Sequence, residues 1–154
     1  MKMNWSQLIC DKRLGLEHYQ SHKGGVRSDF QRDFDRLVFS SPFRRLQNKT
    51  QVFPLPGSIF VHNRLTHSLE VSCVGRSLAA EVVLMLMEKY AGDACVARMD
   101  AIPEIVAAAC LAHDLGNPPF GHSGEKTIGA YFSEGKGEQL RAHFTEQQWA
   151  DLVH

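Results

Sequence analysis

The chain has 154 residues, of which 44% are hydrophobic and 22% charged, so its composition is that of a soluble globular protein and excludes extensive disorder. The 17 basic and 17 acidic residues cancel, which excludes a global attraction to nucleic acid or to an anionic membrane. The longest apolar stretch, Val82 to Met87, is too short to span a bilayer, and residues 1–10 lack the apolar core of a secretory signal. We therefore expect a cytoplasmic protein without membrane contact, in which any phosphate binding is local.

Cysteines and basic residues add two further expectations. The cysteines form no closely spaced pair, which predicts buried, reduced thiols and fits the cytoplasm; they are Cys10, Cys73, Cys95 and Cys110. Basic residues concentrate early in the chain, either as a solvated face or as a surface that meets phosphate. These residues are Arg27, Arg32, Arg36, Arg44, Arg45, Lys49 and Arg64.

In chain order, the first predicted element is an arm over residues 1–28, with one short helix at most. From Asp29, apolar residues recur at spacings of three and four, which predicts a helix that ends near Ser40. These apolar residues would form one buried face of the helix; they are Phe30, Phe34, Leu37 and Val38. A second short helix from Pro42 would carry Phe43 and Leu46. Residues 52–57 contain two prolines and a glycine, which predicts a loop, and residues 58–61 could be briefly extended.

A long amphipathic helix is predicted next, with Thr66 as its N-cap and an end near Tyr90, before Gly92. Its apolar series predicts the face that packs on the core. That series is Val71, Val74, Leu78, Val82 and Met85 or Leu86. His67 lies on the same stripe, at the start of the helix.

Pro103 is well placed as the first residue of another helix, which would run to His113-Asp114 and stop at Gly116. Residues 117–121 predict a rigid turn, after which Ser123 would cap a helix over residues 124–132. Thr145 would cap a last helix, and the chain is expected to end before the architecture is complete.

A histidine at the start of one helix and a His-Asp pair at the end of another suggest a metal site. Adjacent residues on a helix differ by about 100° in direction, so His113 and Asp114 can reach one ion only near a helix end. Together with His67 they offer two imidazole nitrogens and one carboxylate oxygen, which suit a divalent transition metal. The alternative for His67 is a hydrogen-bonded histidine of the core.

Three sequence blocks, in chain order, resemble the bacterial deoxyguanosinetriphosphate triphosphohydrolase family of the HD-domain superfamily. They are residues 43–55, residues 64–68 and residues 113–125, the last reading HDLGNPPFGHSGE. The resemblance extends from about Asp35 to about Phe132. It implies an all-α HD fold, of which residues 29–154 would be the amino-terminal part. It also implies that His67, His113 and Asp114 bind a divalent ion, which could be Mg, Mn or another transition metal, with one further aspartate beyond His154.

The same resemblance implies an enzyme that hydrolyses a deoxynucleoside triphosphate, dGTP or dNTPs generally, to deoxynucleoside and inorganic triphosphate. His122, after the rigid turn, is our candidate for the proton donor, because an imidazole transfers protons near neutral pH. Glu125 could orient His122 or the attacking water, or could simply be a favourable charge at a helix start. Four residues are candidates for binding substrate: Arg64 for a phosphate, Gln51 and Gln47 for the sugar 3′-hydroxyl, and Asn117, which agrees with the bacterial pattern.

Two alternative functions stay open at this point. One is a different HD phosphohydrolase, such as a nucleotidase or a phosphodiesterase. The other is a non-catalytic module that binds nucleotide or single-stranded DNA. The family resemblance also implies a homo-oligomer in the full-length protein, with a nucleotide or single-stranded DNA as a candidate effector.

Overall fold

A computed structural model describes residues 4–16, 18, 26–49, 63–92 and 96–153. Within these residues the fold is all-α, as predicted, and contains no strand. The chain divides into two compact units, Met1–Leu115 and Gly116–His154. The α-helices are α1 (Trp5–Leu8), α2 (Asp29–Phe39), α3 (Ser41–Arg45), α4 (Arg64–Lys89), α5 (Ile102–Ala112), α6 (His122–Ser133) and α7 (Glu146–Val153). Short 3-10 segments cover Leu46–Asn48, Val96–Ala101 and Lys136–His143.

The predicted arm includes part of the core of the first unit. Ile9, which follows α1, is buried beside Val83 and Met99. Further along, Arg13 forms a two-pronged ion pair with Asp33 of α2, with nitrogen–oxygen distances of 3.0 and 2.9 Å. The hydrogen bond to Asp33 raises the pKa of the Arg13 guanidinium above its usual value. Within the predicted arm, Ile9 and Arg13 are therefore packed on the rest of the first unit.

Helix α2 begins and ends where the sequence predicts, whereas α3 begins at Ser41, one residue before the predicted Pro42, and ends at Arg45, so that Leu46 lies on the 3-10 segment that follows. Ser28 caps α2, because its hydroxyl accepts the N–H of Gln31 while the Gln31 side chain accepts the N–H of Ser28. Ser40 ends α2 and caps α3 in turn. Phe34, Leu37 and Val38 of α2 pack against the buried side chains of Phe43 and Leu46. The apolar face predicted for α2 thus does face the core.

Helix α4 begins earlier than the sequence predicts. The predicted N-cap, Thr66, is wrong, because Asn63 takes that place. The Asn63 side chain accepts the N–H of Thr66 at 2.9 Å, and the Thr66 hydroxyl accepts the N–H of Asn63 at 3.3 Å. Thr66 is thus the third residue of the helix and forms a capping box with Asn63, in which the side chain of each residue accepts the backbone N–H of the other. One extra turn places Arg64 on the helix, together with His67.

The predicted core face of α4 is wrong along most of its length, although Leu86, one of the two alternatives at its end, packs against the core and Val71 is half-buried. Val74, Leu78, Val82 and Met85 are exposed, whereas the buried residues of the helix are Ser68, Ser72, Ala79 and Val83. The buried face consists mainly of small residues because α5 packs closely against it. The Ser72 hydroxyl donates to the carbonyl of Ala107, and a Cβ atom on Gly75 would lie 2.6 Å from the Cys110 sulfur. Cys73 lies outside this contact and is exposed, so the expectation of buried thiols fails there.

Matched alanine substitutions in α4 distinguish the two faces. Val83→Ala, at a side chain 5% exposed, is expected to cost about 2 kcal/mol of unfolding free energy, because it removes buried apolar surface and leaves a cavity. Leu78→Ala, at a side chain 59% exposed, is expected to cost less than about 0.5 kcal/mol. Urea unfolding followed by far-UV circular dichroism measures both. An equal cost at the two positions would contradict the exposed placement of Leu78.

The second unit contains a turn, α6 and α7. Gly121, not the predicted Ser123, is the N-cap of α6, so the helix starts one residue before Ser123. The prediction for α7 is confirmed, because the Thr145 hydroxyl accepts the N–H of Gln148 at 3.2 Å. An aromatic cluster holds this unit together: the Phe132 ring lies edge-on to the rings of Phe144 and Trp149, at centroid distances of 6.2 and 6.0 Å.

Among the helices that the structure describes, none has the length and apolar character needed to cross a membrane.

Candidate metal centre

The end of α5 and the start of α4 bring three potential ligands together. One ligand atom from each of His67, His113 and Asp114 lies within 4.8 Å of the others. His67 lies in the first turns of α4, His113 is the C-cap residue of α5, and Asp114 follows it in a turn. Gly116, with φ of +86°, ends this turn in a conformation that favours glycine. The helix end thus lets two successive side chains reach one point, as the sequence predicts.

The two imidazoles approach each other edge-on. Their ring centroids are 5.2 Å apart and their planes are inclined by 71°. The Nδ1 atom of His113 lies 2.7 Å from the backbone oxygen of Cys110. Because a carbonyl only accepts, Nδ1 carries the proton and donates, which leaves the Nε2 lone pair available as a ligand. The Cys110 carbonyl was not among the predicted groups of the site, although its place three residues before the end of the predicted helix follows from the sequence.

The carboxylate of Asp114 is the most buried part of the site. Its Oδ2 atom lies 3.6 Å from Nε2 of His113. Its Oδ1 atom accepts a hydrogen bond of 2.8 Å from Nη1 of Arg64. The side chains of Arg64 and Asp114 are 13% and 8% exposed, so this ion pair is largely shielded from water.

The residues present fit a divalent ion. Two neutral imidazole nitrogens and one carboxylate oxygen form a donor set typical of transition-metal sites, and a hydrogen bond to the non-ligating nitrogen of a histidine is a regular feature of such sites. The group of His67, His113 and Asp114 could therefore hold a metal ion.

The remaining early arginines divide into two sets. Arg27, Arg32 and Arg36 each form an ion pair with an aspartate of α2. Arg44 and Arg45 lie exposed at the end of α3. Three of the seven basic residues are thus paired with aspartates of α2 and two more are exposed, which agrees with the solvated face considered above.

The second unit contains the other predicted pair, His122 and Glu125. His122 is the first residue of α6, and its Nδ1 atom lies 3.0 Å from Oε2 of Glu125. The His122 side chain is 95% exposed. The two residues do project to the same side of the first turn, as their spacing of three predicts.

The turn before His122 depends on glycine at two positions. Gly121 has φ of 55° and ψ of −131°, a region that only glycine enters without strain. A Cβ atom on Gly124 would lie 2.1 Å from the carbonyl oxygen of Pro119. Phe120 also has a positive φ, of 68°. Gly121 and Gly124 of the HDLGNPPFGHSGE block are therefore needed for the backbone conformation that positions His122 and Glu125.

Among the other predicted substrate contacts, Gln47 is exposed on the 3-10 segment Leu46–Asn48, and Asn117 is half-buried in the turn after α5. Gln51 lies outside the described residues, as do Cys95 and the predicted loop at residues 52–57.

Residues 64–147 match the model of the HD-domain family. Similar curated proteins include two named deoxyguanosinetriphosphate triphosphohydrolase-like. The one from Synechocystis is 48% identical over 132 residues, which are 86% of this chain and 29% of the relative. The one from Pseudomonas aeruginosa is 43% identical over 152 residues, or 99% of this chain and 33% of the relative. A deoxyguanosinetriphosphate triphosphohydrolase from Serratia proteamaculans is 48% identical over 107 residues, covering 68% of this chain and 21% of the relative. The chain thus spans about a third or less of the length of these relatives.

Proposed function

Because the chain belongs to the HD-domain family, we propose that it carries the metal-binding residues of a phosphohydrolase that cleaves deoxynucleoside triphosphates to deoxynucleoside and inorganic triphosphate. The observation that carries this proposal is the group of His67, His113 and Asp114, which falls inside the family match. The names of the relatives support the substrate class.

In this proposal His67, His113 and Asp114 hold a divalent ion, with Mn²⁺ or Mg²⁺ as the first ions to test. A bound divalent ion would neutralise phosphate charge and lower the pKa of a water molecule. Water attacks the innermost phosphorus, a new phosphorus–oxygen bond forms, and the bond from that phosphorus to the sugar 5′-oxygen breaks. The departing 5′-oxygen takes up a proton, and triphosphate leaves intact.

His122 is proposed as the donor of that proton. Its Nδ1–H donates to Glu125 at 3.0 Å, which fixes the ring and leaves Nε2 to exchange a proton with the substrate. Glu125 is then a positioning residue for the imidazole. Gln47 and Gln51 are proposed to bind the 3′-hydroxyl of the sugar and Arg64 to bind a phosphate, with Asn117 as a further contact to the substrate.

Product analysis tests the reaction. The polypeptide that carries this chain, expressed from its complete gene, is incubated with Mn²⁺ and each of the four dNTPs, and the products are separated by ion-exchange chromatography. We expect deoxynucleoside and tripolyphosphate in equal amounts. Accumulation of dNDP or dNMP would reject this reaction in favour of another HD phosphohydrolase. Nucleotide binding without any product would favour a non-catalytic module.

A further inference from the structure

The ion pair between Arg64 and Asp114 joins the start of α4 to the end of α5, across fifty residues of sequence. Arg64 is the first residue of α4, and its backbone N–H donates to the carbonyl of Lys49 at 3.0 Å. His67 lies three residues further along the same helix, about one turn away. The first turn of α4 therefore presents both a potential ligand and a cation that contacts a second potential ligand.

The two oxygens of Asp114 have different neighbours. Oδ1 accepts from the guanidinium at 2.8 Å, whereas Oδ2 is the oxygen near Nε2 of His113, at 3.6 Å. The hydrogen bond to Oδ1 thus restrains the rotation of the carboxylate. It turns Oδ2 toward the imidazole nitrogen that is free to ligate.

Burial makes this contact stronger than an ordinary surface ion pair. A carboxylate whose side chain is 8% exposed needs a compensating charge or hydrogen bond, and the Arg64 guanidinium supplies both. In the same unit, Arg13 and Asp33 form a comparable pair, with side chains 19% and 35% exposed, far from any potential ligand in sequence. The chain therefore contains its own matched control.

We propose that Arg64 is a positioning residue for the metal centre, which holds Asp114 so that Oδ2 faces the ion and thereby sets the affinity for that ion. This inference rests on the metal site of the proposed function. It differs from the sequence-based prediction for Arg64, since a residue that only clamps a phosphate would leave metal affinity unchanged when it is removed.

The test is Mn²⁺ binding to the polypeptide expressed from the complete gene, measured by titration calorimetry and by loss of the free-ion signal in electron paramagnetic resonance. Arg64→Ala is expected to weaken Mn²⁺ binding about 10- to 100-fold, the usual effect of removing a group that orients a ligand. Arg64→Gln, which retains a neutral donor, is expected to fall between Arg64→Ala and the wild type. Arg64→Gln also provides the test of metal affinity if Arg64→Ala does not fold. Arg13→Ala is expected to lower the midpoint of thermal unfolding while leaving Mn²⁺ affinity unchanged.

The outcomes separate the two proposals. If the wild-type chain does not bind Mn²⁺, the metal site of the proposed function fails, and this inference fails with it. If the wild type binds but Arg64→Ala and Arg64→Gln bind within twofold of it, the positioning role alone is overturned. An equal loss of affinity in Arg13→Ala would also overturn it, because the effect would then be one of general stability.

Discussion

Replacing His113 with alanine is expected to abolish binding of a divalent ion while leaving the fold almost unchanged. The imidazole is one of only three donors in the described group, so its loss leaves two. We expect the dissociation constant for Mn²⁺ to rise more than about 100-fold, beyond the effect of removing a group that merely orients a ligand. The His113 side chain is 37% exposed, so the unfolding free energy should change by no more than about 0.5 kcal/mol.

His143→Ala is the matched control for this variant. His143 ends the 3-10 segment of the second unit and is exposed, so its removal should change neither Mn²⁺ affinity nor stability. Mn²⁺ titration and urea unfolding of both variants, beside the wild type, provide the comparison. Wild-type affinity in His113→Ala would exclude His113 as a ligand.

The candidate site could be predicted because its potential ligands lie at helix ends. A His-Asp pair before a glycine indicates a helix terminus where both side chains can face one point, and the structure has them there. The partner of Arg64 could not be predicted in the same way. A long side chain reaches many positions, and no local pattern indicates a carboxylate fifty residues away.

The error at α4 has a different origin. Periodicity identifies the large apolar residues, but it does not indicate which of two possible faces a neighbouring helix selects. Ser72, Gly75 and Ala79 allow α5 to approach closely, and close packing of that face outweighs the burial of Val74 and Leu78. Small residues at spacings of three and four, rather than the large apolar residues, therefore indicate the face of α4 that packs on its neighbour.

The error at α6 came from the turn before it. Serine is a good N-cap, which favoured Ser123, but the glycine at position 121 adopts a backbone conformation closed to other residues and starts the helix before Ser123. The order of residues in the block from His113 to Glu125 predicted a rigid turn. The backbone dihedral angles of Gly121, which end this turn, place the start of α6 at His122.

His122→Ala is expected to reduce turnover of a deoxynucleoside triphosphate by about 10²- to 10⁴-fold, the usual contribution of a general acid. The fold should not change, because the side chain is 95% exposed and its described hydrogen bond is to Glu125, itself on the surface. Mn²⁺ affinity should also stay at the wild-type value, since the proposed ligands are all retained. His122→Ala is thus expected to lower kcat while leaving the Mn²⁺ affinity unchanged.

The measurement is kcat for dGTP hydrolysis by the polypeptide expressed from the complete gene, with Mn²⁺ affinity determined on the same preparations. Lys126→Ala is the control, because Lys126 is an exposed neighbour on α6 that has no role in the proposed mechanism. Glu125→Gln should lower kcat less than His122→Ala, since the amide oxygen can still accept from Nδ1–H and hold the ring. Wild-type turnover in His122→Ala would remove this residue from the mechanism. Because the proposed metal ligands would be untouched in that variant, the proton would then have to come from another group or from water.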